Sequence, residues 1–325
     1  MKSKDLFKEK VELGGPVCIS IGLSKGGVSK STTSSDLAYV LSTRGYRCLV
    51  IDADNQSSLS FLLGCYPNVF RMKDYLNNEV KGLQNILDYA IQCLNSRVDI
   101  EYEEIAKYII EPTFTEQKRV KNKNGEYVIK DVKTPYGFYA IPCDVSLANY
   151  EQILSTFTVG KKRVGGMVLY QIIDAIKKSE LWDFIILDLP PALSTISYNC
   201  YYASVDGVIS PVNMNILTLR SLANTIEAVK EIQGMAKENN IKHSGILSLL
   251  RTKYTRGLTV QQSMDEVIKE FSPIKAFNTI IPSKTACEKA QSMMRLFAQE
   301  DREAYKCYSN LVDEIIEKIL ENRKN

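Results

Sequence analysis

Short apolar runs bounded by glycine, proline or aspartate recur along the chain, and few of them alternate with polar residues. "PVCISIG" from Pro16, "CLVIDAD" from Cys48 and "DFIILDLPP" from Asp183 have this form, which suits strands of a parallel sheet covered by helices on both faces. Between them the apolar positions switch to helical spacing. "SDLAYVLSTRG" places Leu37, Val40 and Leu41 on one face with Gly45 as a stop. "LQNILDYAIQCL" does the same with Leu83, Ile86, Leu87, Ala90, Ile91 and Leu94, and residues 70 to 110 as a whole read as helices. The tail "NLVDEIIEKILENRKN" carries a stripe of Leu311, Val312, Ile315, Ile316, Ile319 and Leu320. One stretch departs from both patterns: "EQKRVKNKNGEYVIKDVKTPYG" reads as a basic hairpin around Asn124 and Gly125. The whole predicts an α/β fold, a doubly wound, mostly parallel sheet with helices on both faces. It forms one domain over residues 16–325, with a helical and hairpin insertion at about 70–137 and a short extension at 1–15.

Polar residues at the carboxyl ends of these strands carry the candidate chemistry. The first run leads into "GLSKGGVSKSTTSS". Glycines and hydroxyls ahead of a helix let backbone N–H groups turn inward around an oxyanion at the positive end of the helix dipole. Lys30 then stands as a phosphate-loop lysine, and Ser31 as the hydroxyl that ligates Mg2+. The general pattern asks for glycine at positions 24 and 29, where this chain has Ser24 and Ser29. The second run ends in Asp52 and Asp54, the third in Asp188. Ligands of open α/β sheets collect at this edge, although helix caps and turns use the same side chains.

"KGGVSKST", "IDADNQ" and "DFIILDLPP" resemble the deviant Walker A, Walker A′ and Walker B motifs of the ParA family of partition ATPases, within the wider ParA/MinD group. "YAIPCDVSLANYE", "DGVISPVNMNILTLRSL" and "NTIIPSKTACEKA" follow in family order, so the resemblance extends over residues 16 to 320. It implies a P-loop NTPase of the deviant Walker type that hydrolyses ATP with Mg2+. Nucleotide contacts are expected from Ser24, Lys25, Gly26, Gly27, Val28, Ser29, Lys30, Ser31, Thr32 and Pro282. Lys30 is assigned to the β and γ phosphates, Thr32 to the α-phosphate, and Asp52 to the attacking water. Mg2+ is expected at Ser31 and, through water, at Asp188, with Asp54 a weaker candidate for the same shell. The resemblance also explains the second lysine of the loop. Lys25 matches the signature lysine that crosses a sandwich homodimer to the partner's phosphates, making hydrolysis depend on dimerisation. Three departures stand out: Ser29 for glycine, Asn55 for proline, and Ser283 where many relatives have arginine.

Composition changes the picture little. A chain of 325 residues that is 45% hydrophobic can bury one large core. It shows no apolar run long enough to span a membrane and no signal peptide, so cytoplasmic placement is expected. The eight cysteines have no CxxC pairing and read as reduced core residues, which argues against an iron–sulfur carrier. His243 reads as a surface residue.

A net charge of +3 does not decide DNA binding, but cations cluster. From Ile241 to Met264 there is no acid, and Arg251, Lys253 and Arg256, with Lys284, form the expected face for nonspecific DNA on a nucleoid-associated protein. The hairpin adds Lys118, Arg119, Lys121 and Lys123, either for DNA or as a filament or partner surface. The resemblance further implies a centromere-binding ParB-like adaptor that stimulates hydrolysis. No helix-turn-helix arm is expected before residue 16. A MinD-like membrane positioner is the alternative, disfavoured by Asp313, Glu314, Glu317 and Glu321 beside the tail stripe.

Overall fold

The computed structural model describes residues 10–66, 80–121, 127–160, 162–255, 257, 259–271 and 274–324. The hairpin tip at Asn124 and Gly125, Lys123, Arg256, residues 70–79 and most of the 1–15 extension lie outside them.

Seven strands make the sheet: β1 (Val17–Ile21), β2 (Cys48–Asp52), β5 (Tyr139–Ile141), β8 (Phe184–Asp188), β9 (Gly207–Asn213), β10 (Ile246–Tyr254) and β11 (Ala276–Pro282). Their spatial order is β11-β10-β9-β1-β8-β2-β5, and every pairing is parallel. The helices that matter below are α1 (Lys30–Thr43), α2 (Ser58–Leu62), α3 (Leu83–Ser96), α4 (Tyr102–Ala106), α5 (Asn149–Thr156), α6 (Val168–Lys178), α7 (Thr195–Ala203), α8 (Ile216–Glu238), α9 (Thr259–Phe271), α10 (Thr285–Ser292), α11 (Phe297–Glu300) and α12 (Arg302–Lys324).

The unalternating runs fall on β1, β2 and β8, which are buried throughout. Their period of two divides the core. Ile19, Ile21, Val50 and Ile186 pack with α1 and α12 on one face, while Leu49, Ile51, Ile185 and Leu187 pack with α3, α6 and α7 on the other. In α3 the expected stripe holds: Leu83, Ile86, Leu87 and Ala90 are buried, and Ile91 and Leu94 are partly so. The tail stripe lies in the core as well, since Leu311, Val312, Ile315, Ile316 and Ile319 of α12 pack on α1 and the sheet. No helix among the described residues is long and apolar enough to cross a membrane.

Three features sit outside the sheet's regular winding. β3 (Thr113–Lys121) and β4 (Tyr127–Pro135) form the expected hairpin, a separate two-stranded antiparallel ribbon, and β6 (Thr158–Val159) and β7 (Lys162–Arg163) form a second, very short one. His243 corrects the surface reading: it is partly buried, its Nδ1 accepts from the Gly245 N–H at 3.0 Å, and Nε2 is left to donate to the Tyr201 carbonyl at 2.7 Å. The ring is a brace between α7 and the turn entering β10, and burial lowers its pKa.

Candidate functional site

Parallel register brings the three polar strand ends to one edge. Ile21 stands beside Asp188, and Asp188 beside Asp52, in neighbouring strands. The loop from Gly22 to Ser29 leaves β1 there and turns directly into α1. Gly22 is required by close approach, because a Cβ would meet Leu189 at 2.8 Å and the Tyr201 ring at 3.0 Å. Gly27 and Ser29 both have positive φ, 72° and 66°. A Cβ at such a backbone is strained, which explains why this loop type favours glycine where Ser29 stands.

The N terminus of α1 has no side-chain cap and no acid in its first turn. Its backbone donors and dipole are therefore offered to an external anion. Lys30 is buried at 7% exposure, and its Nζ donates to the Lys25 carbonyl at 2.8 Å, so the ammonium lies under the loop. Burial pushes its pKa down, while Asp188 and Asp54 act to hold it charged.

Beside this loop lies a cleft of about 770 Å3, within the range of nucleotide-sized pockets. Gly26, Gly27, Ser29, Lys30, Ser31 and Thr32 form one wall, and Ile281 and Pro282 at the end of β11, with Ser283 and Lys284 beyond it, form another. Pro282 thus falls where the sequence reading put it. Sequence reasoning missed Gln56, Cys287, Gln291 and Tyr308, which also line the cleft. Gln291 of α10 donates to Thr32 Oγ1 at 2.7 Å, tying the far wall to the start of α1. Nothing in the local sequence marks it, since the contact joins residues 259 positions apart.

The carboxylates divide differently from the sequence ranking. Asp188 is fully buried; its Oδ1 accepts from Ser34 at 2.9 Å, while Oδ2 has no hydrogen-bond partner among the described residues. Burial, and then the neighbouring Asp52, push its carboxyl up to about 8. A buried, unpartnered carboxylate oxygen beside the phosphate loop fits a bound cation, whose charge would reverse that shift. Asp52, assigned to the attacking water, is enclosed by donors: Ser60 N–H at 2.8 Å and Ser60 Oγ at 2.7 Å on Oδ2, and Asp54 N–H at 3.1 Å on Oδ1. It does not line the cleft, and Asp54 does. Asp54 gives one oxygen to the Gln56 N–H at 3.0 Å and is the carboxylate of the pair that faces the ligand space. Asp54, expected only as the weaker candidate, is thus the one of the two on the cleft wall, while Asp52 and Asp188 stand behind it.

Other expected residues also move. Lys25 does not line its own cleft; Nζ donates to Asn215 Oδ1 and Thr218 Oγ1, both at 2.9 Å, at the start of α8. Ser24 turns the same way, donating to the Ser221 carbonyl at 3.1 Å, and Val28 is buried against Leu23, Val212 and Met214. Neither offers a side chain to the cleft, so any contribution from them is through backbone. Of the expected DNA face, Arg251 is corrected. It pairs with Asp265 at 3.0 Å and donates to the Phe277 carbonyl at 2.7 Å. Lys284 pairs with Asp301 and Glu303, and both Lys284 and Lys253 lie on the cleft wall. Arg251 and Lys284 are thus tied into the fold by acids, while Lys253 is exposed at the cleft.

Comparison with known proteins agrees with this geometry. Residues 17–243 match the AAA domain family, which covers most of the chain. An uncharacterized protein of Methanocaldococcus jannaschii is 27% identical over 95% of this chain and 100% of its own length. The chromosome partitioning protein ParA of Caulobacter vibrioides is 21% identical over 84% of this chain and 83% of its own. Among solved structures, an ATP complex of a Cyanothece McdA variant superposes with a TM-score of 0.67, at 20% identity, over 93% of this chain and 96% of that one. With a phosphate loop, a parallel sheet and strand-end aspartates in one arrangement, the chain belongs to the AAA domain family as a ParA-type P-loop protein.

Proposed function

We propose that the protein is a Mg2+-dependent ATPase that drives segregation of plasmid or chromosomal DNA through an ATP-bound sandwich homodimer. The observation that carries this reading is the division between its two loop lysines. Lys30 lies buried at the cleft, whereas Lys25 stands outside it on Asn215 and Thr218. A cation parked outside its own pocket is available to a second copy brought up against the loop. Only the paired molecule then surrounds the triphosphate with both charges, so turnover follows dimerisation.

Within one chain the roles are as follows. The α1 N terminus and Lys30 hold the phosphates, and Thr32, positioned by Gln291, lies one residue beyond the Mg2+ hydroxyl of Ser31. Mg2+, when bound, supplies charge neutralisation at the β and γ phosphates. The unpartnered Asp188 oxygen, with Ser31, is the set that would hold it. Asp54, facing the cleft, orients water, and Asp52 with Ser60 fixes the strand end behind it. The dimer binds nonspecific DNA in the nucleoid, and a ParB-like adaptor on the cargo stimulates hydrolysis and release.

Sedimentation with AMPPNP and Mg2+ tests the core of this reading. Wild type is expected to dimerise, and Lys25→Ala to remain monomeric and lose turnover by about 100-fold, the scale of one transition-state charge contact. Dimerisation and hydrolysis by Lys25→Ala at wild-type levels would refute it.

A further inference from the structure

The β3–β4 ribbon is not needed by the sheet or the cleft, yet it is built with care. Its strands pair over nine residues each, from Thr113 opposite Pro135 to Lys121 opposite Tyr127. At about 3.4 Å per residue the ribbon is roughly 30 Å long. Its root is fixed to the body. Arg295 donates to the Thr115 carbonyl at 2.7 Å with its guanidinium 4.9 Å from the Phe114 ring centre, and Tyr136 Oη donates to the Met294 carbonyl at 2.8 Å.

Charge and exposure concentrate toward the other end. The two strands hold five cations, Lys118, Arg119, Lys121, Lys130 and Lys133, against two acids, Glu116 and Asp131, a net +3 equal to that of the whole chain. The charges of the rest of the chain therefore sum to zero. Lys118 is paired with Glu116, but Arg119, Lys121, Lys130 and Lys133 make no ion pair among the described residues. Lys118 and Lys130 stand directly opposite each other across the strands, and Glu116 neutralises only the first of them. On the other face Arg119 and Lys121 lie 4.3 Å and 5.3 Å from the ring centre of Tyr127, which is 57% exposed, beside Ile129 at 71%. Unpaired cations set around an exposed aromatic ring, on a strip as narrow as two strands, match a polyanion with a groove.

We propose that this ribbon is the duplex DNA-binding arm of the protein, entering a groove with the Tyr127 face and straddling phosphates with Arg119, Lys121, Lys130 and Lys133. A two-stranded ribbon fits the major groove, and phosphate neutralisation supplies sequence-independent affinity. The inference rests on the DNA-binding part of the proposed function and relocates it from the Arg251 to Lys284 region.

The test uses the full chain with AMPPNP and Mg2+ and a fluorescent duplex of arbitrary sequence, titrated at several salt concentrations. Arg119→Gln/Lys121→Gln/Lys130→Gln is expected to weaken binding at least tenfold and to flatten the log–log salt slope by about 2 to 3, near 0.9 per lost phosphate contact. ATP turnover without DNA should be unchanged. Tyr127→Ala, which keeps every charge, is expected to weaken binding with little change of slope. A triple variant that binds like wild type overturns the ribbon assignment alone. Failure of wild type to bind the duplex overturns the DNA reading itself. Competition by polyglutamate as effective as that by duplex of matched charge also overturns the assignment, in favour of an acidic protein partner.

Discussion

The ammonium of Lys30 donates to the backbone carbonyl of Lys25 at 2.8 Å, so the two lysines of the loop are joined while their side chains serve opposite sides of it. One charge is buried under the turn and the other extends toward α8. Loss of the buried charge and loss of the outer one should therefore differ in kind. Lys30→Ala is expected to abolish ATP binding, weakening it at least 100-fold in equilibrium titration, a loss of about 2.7 kcal/mol. Lys25→Ala should leave monomer affinity within about threefold, because no cleft contact is lost.

Ser29 holds a left-handed backbone that glycine adopts without strain. Ser29→Gly should stabilise the ligand-free protein by about 0.5–1 kcal/mol, the left-handed penalty less the added entropy of the unfolded chain. A higher urea midpoint at unchanged m-value checks this.

Asp36 of α1 is fully buried, accepting from the Ala298 N–H at 2.8 Å, and burial pushes its carboxyl up to about 8. Its contribution is fully present below the unfolded carboxylate pKa near 3.8 and is lost as pH rises through about 8, because the unfolded chain releases a proton that the fold retains. Asp36→Asn should therefore match wild type at pH 4 and exceed it by about 2–4 kcal/mol at pH 8, at no more than about 1.4 kcal/mol per pH unit. Denaturant unfolding across that window, with the difference between the two proteins as readout, isolates this group from the other titrations.

Arg251 is a structural cation, 13% exposed and paired with Asp265. Arg251→Ala should cost about 2 kcal/mol of stability, since it takes the guanidinium from the Phe277 and Asn278 carbonyls and one partner from Asp265. Duplex affinity at matched folded fraction should change less than twofold, in contrast to the ribbon variant.

How much of this was legible before the chain folded differs residue by residue. The placement of Lys30, Ser31 and Asp188 at one edge of the sheet was readable because it depends on sequence neighbours: a strand that ends, a loop that turns, a helix that begins. Asp52 and Asp54 share that context, two positions apart, and the sequence reading placed Asp52 first. The distinction comes from Ser60, one helix later, which closes around Asp52 and leaves Asp54 to the cleft. Gln291 and Tyr308 carry no local signal, because the wall they form exists only when α10 and α12 return to α1. Arg251 looked free in a stretch without acids, and its partner Asp265 lies just beyond that stretch on α9.

Sequence by itself determined the parallel α/β architecture, the phosphate loop and the basic hairpin. Each is written in short-range periodicity, in glycine and hydroxyl content, or in a run of like charges, and these act within a few residues of chain. Tertiary structure alone decided which carboxylate faces the cleft, which lysine leaves it, and which cations remain unpaired. Those outcomes depend on distances between segments far apart in the chain, and burial and ion pairing follow from such distances.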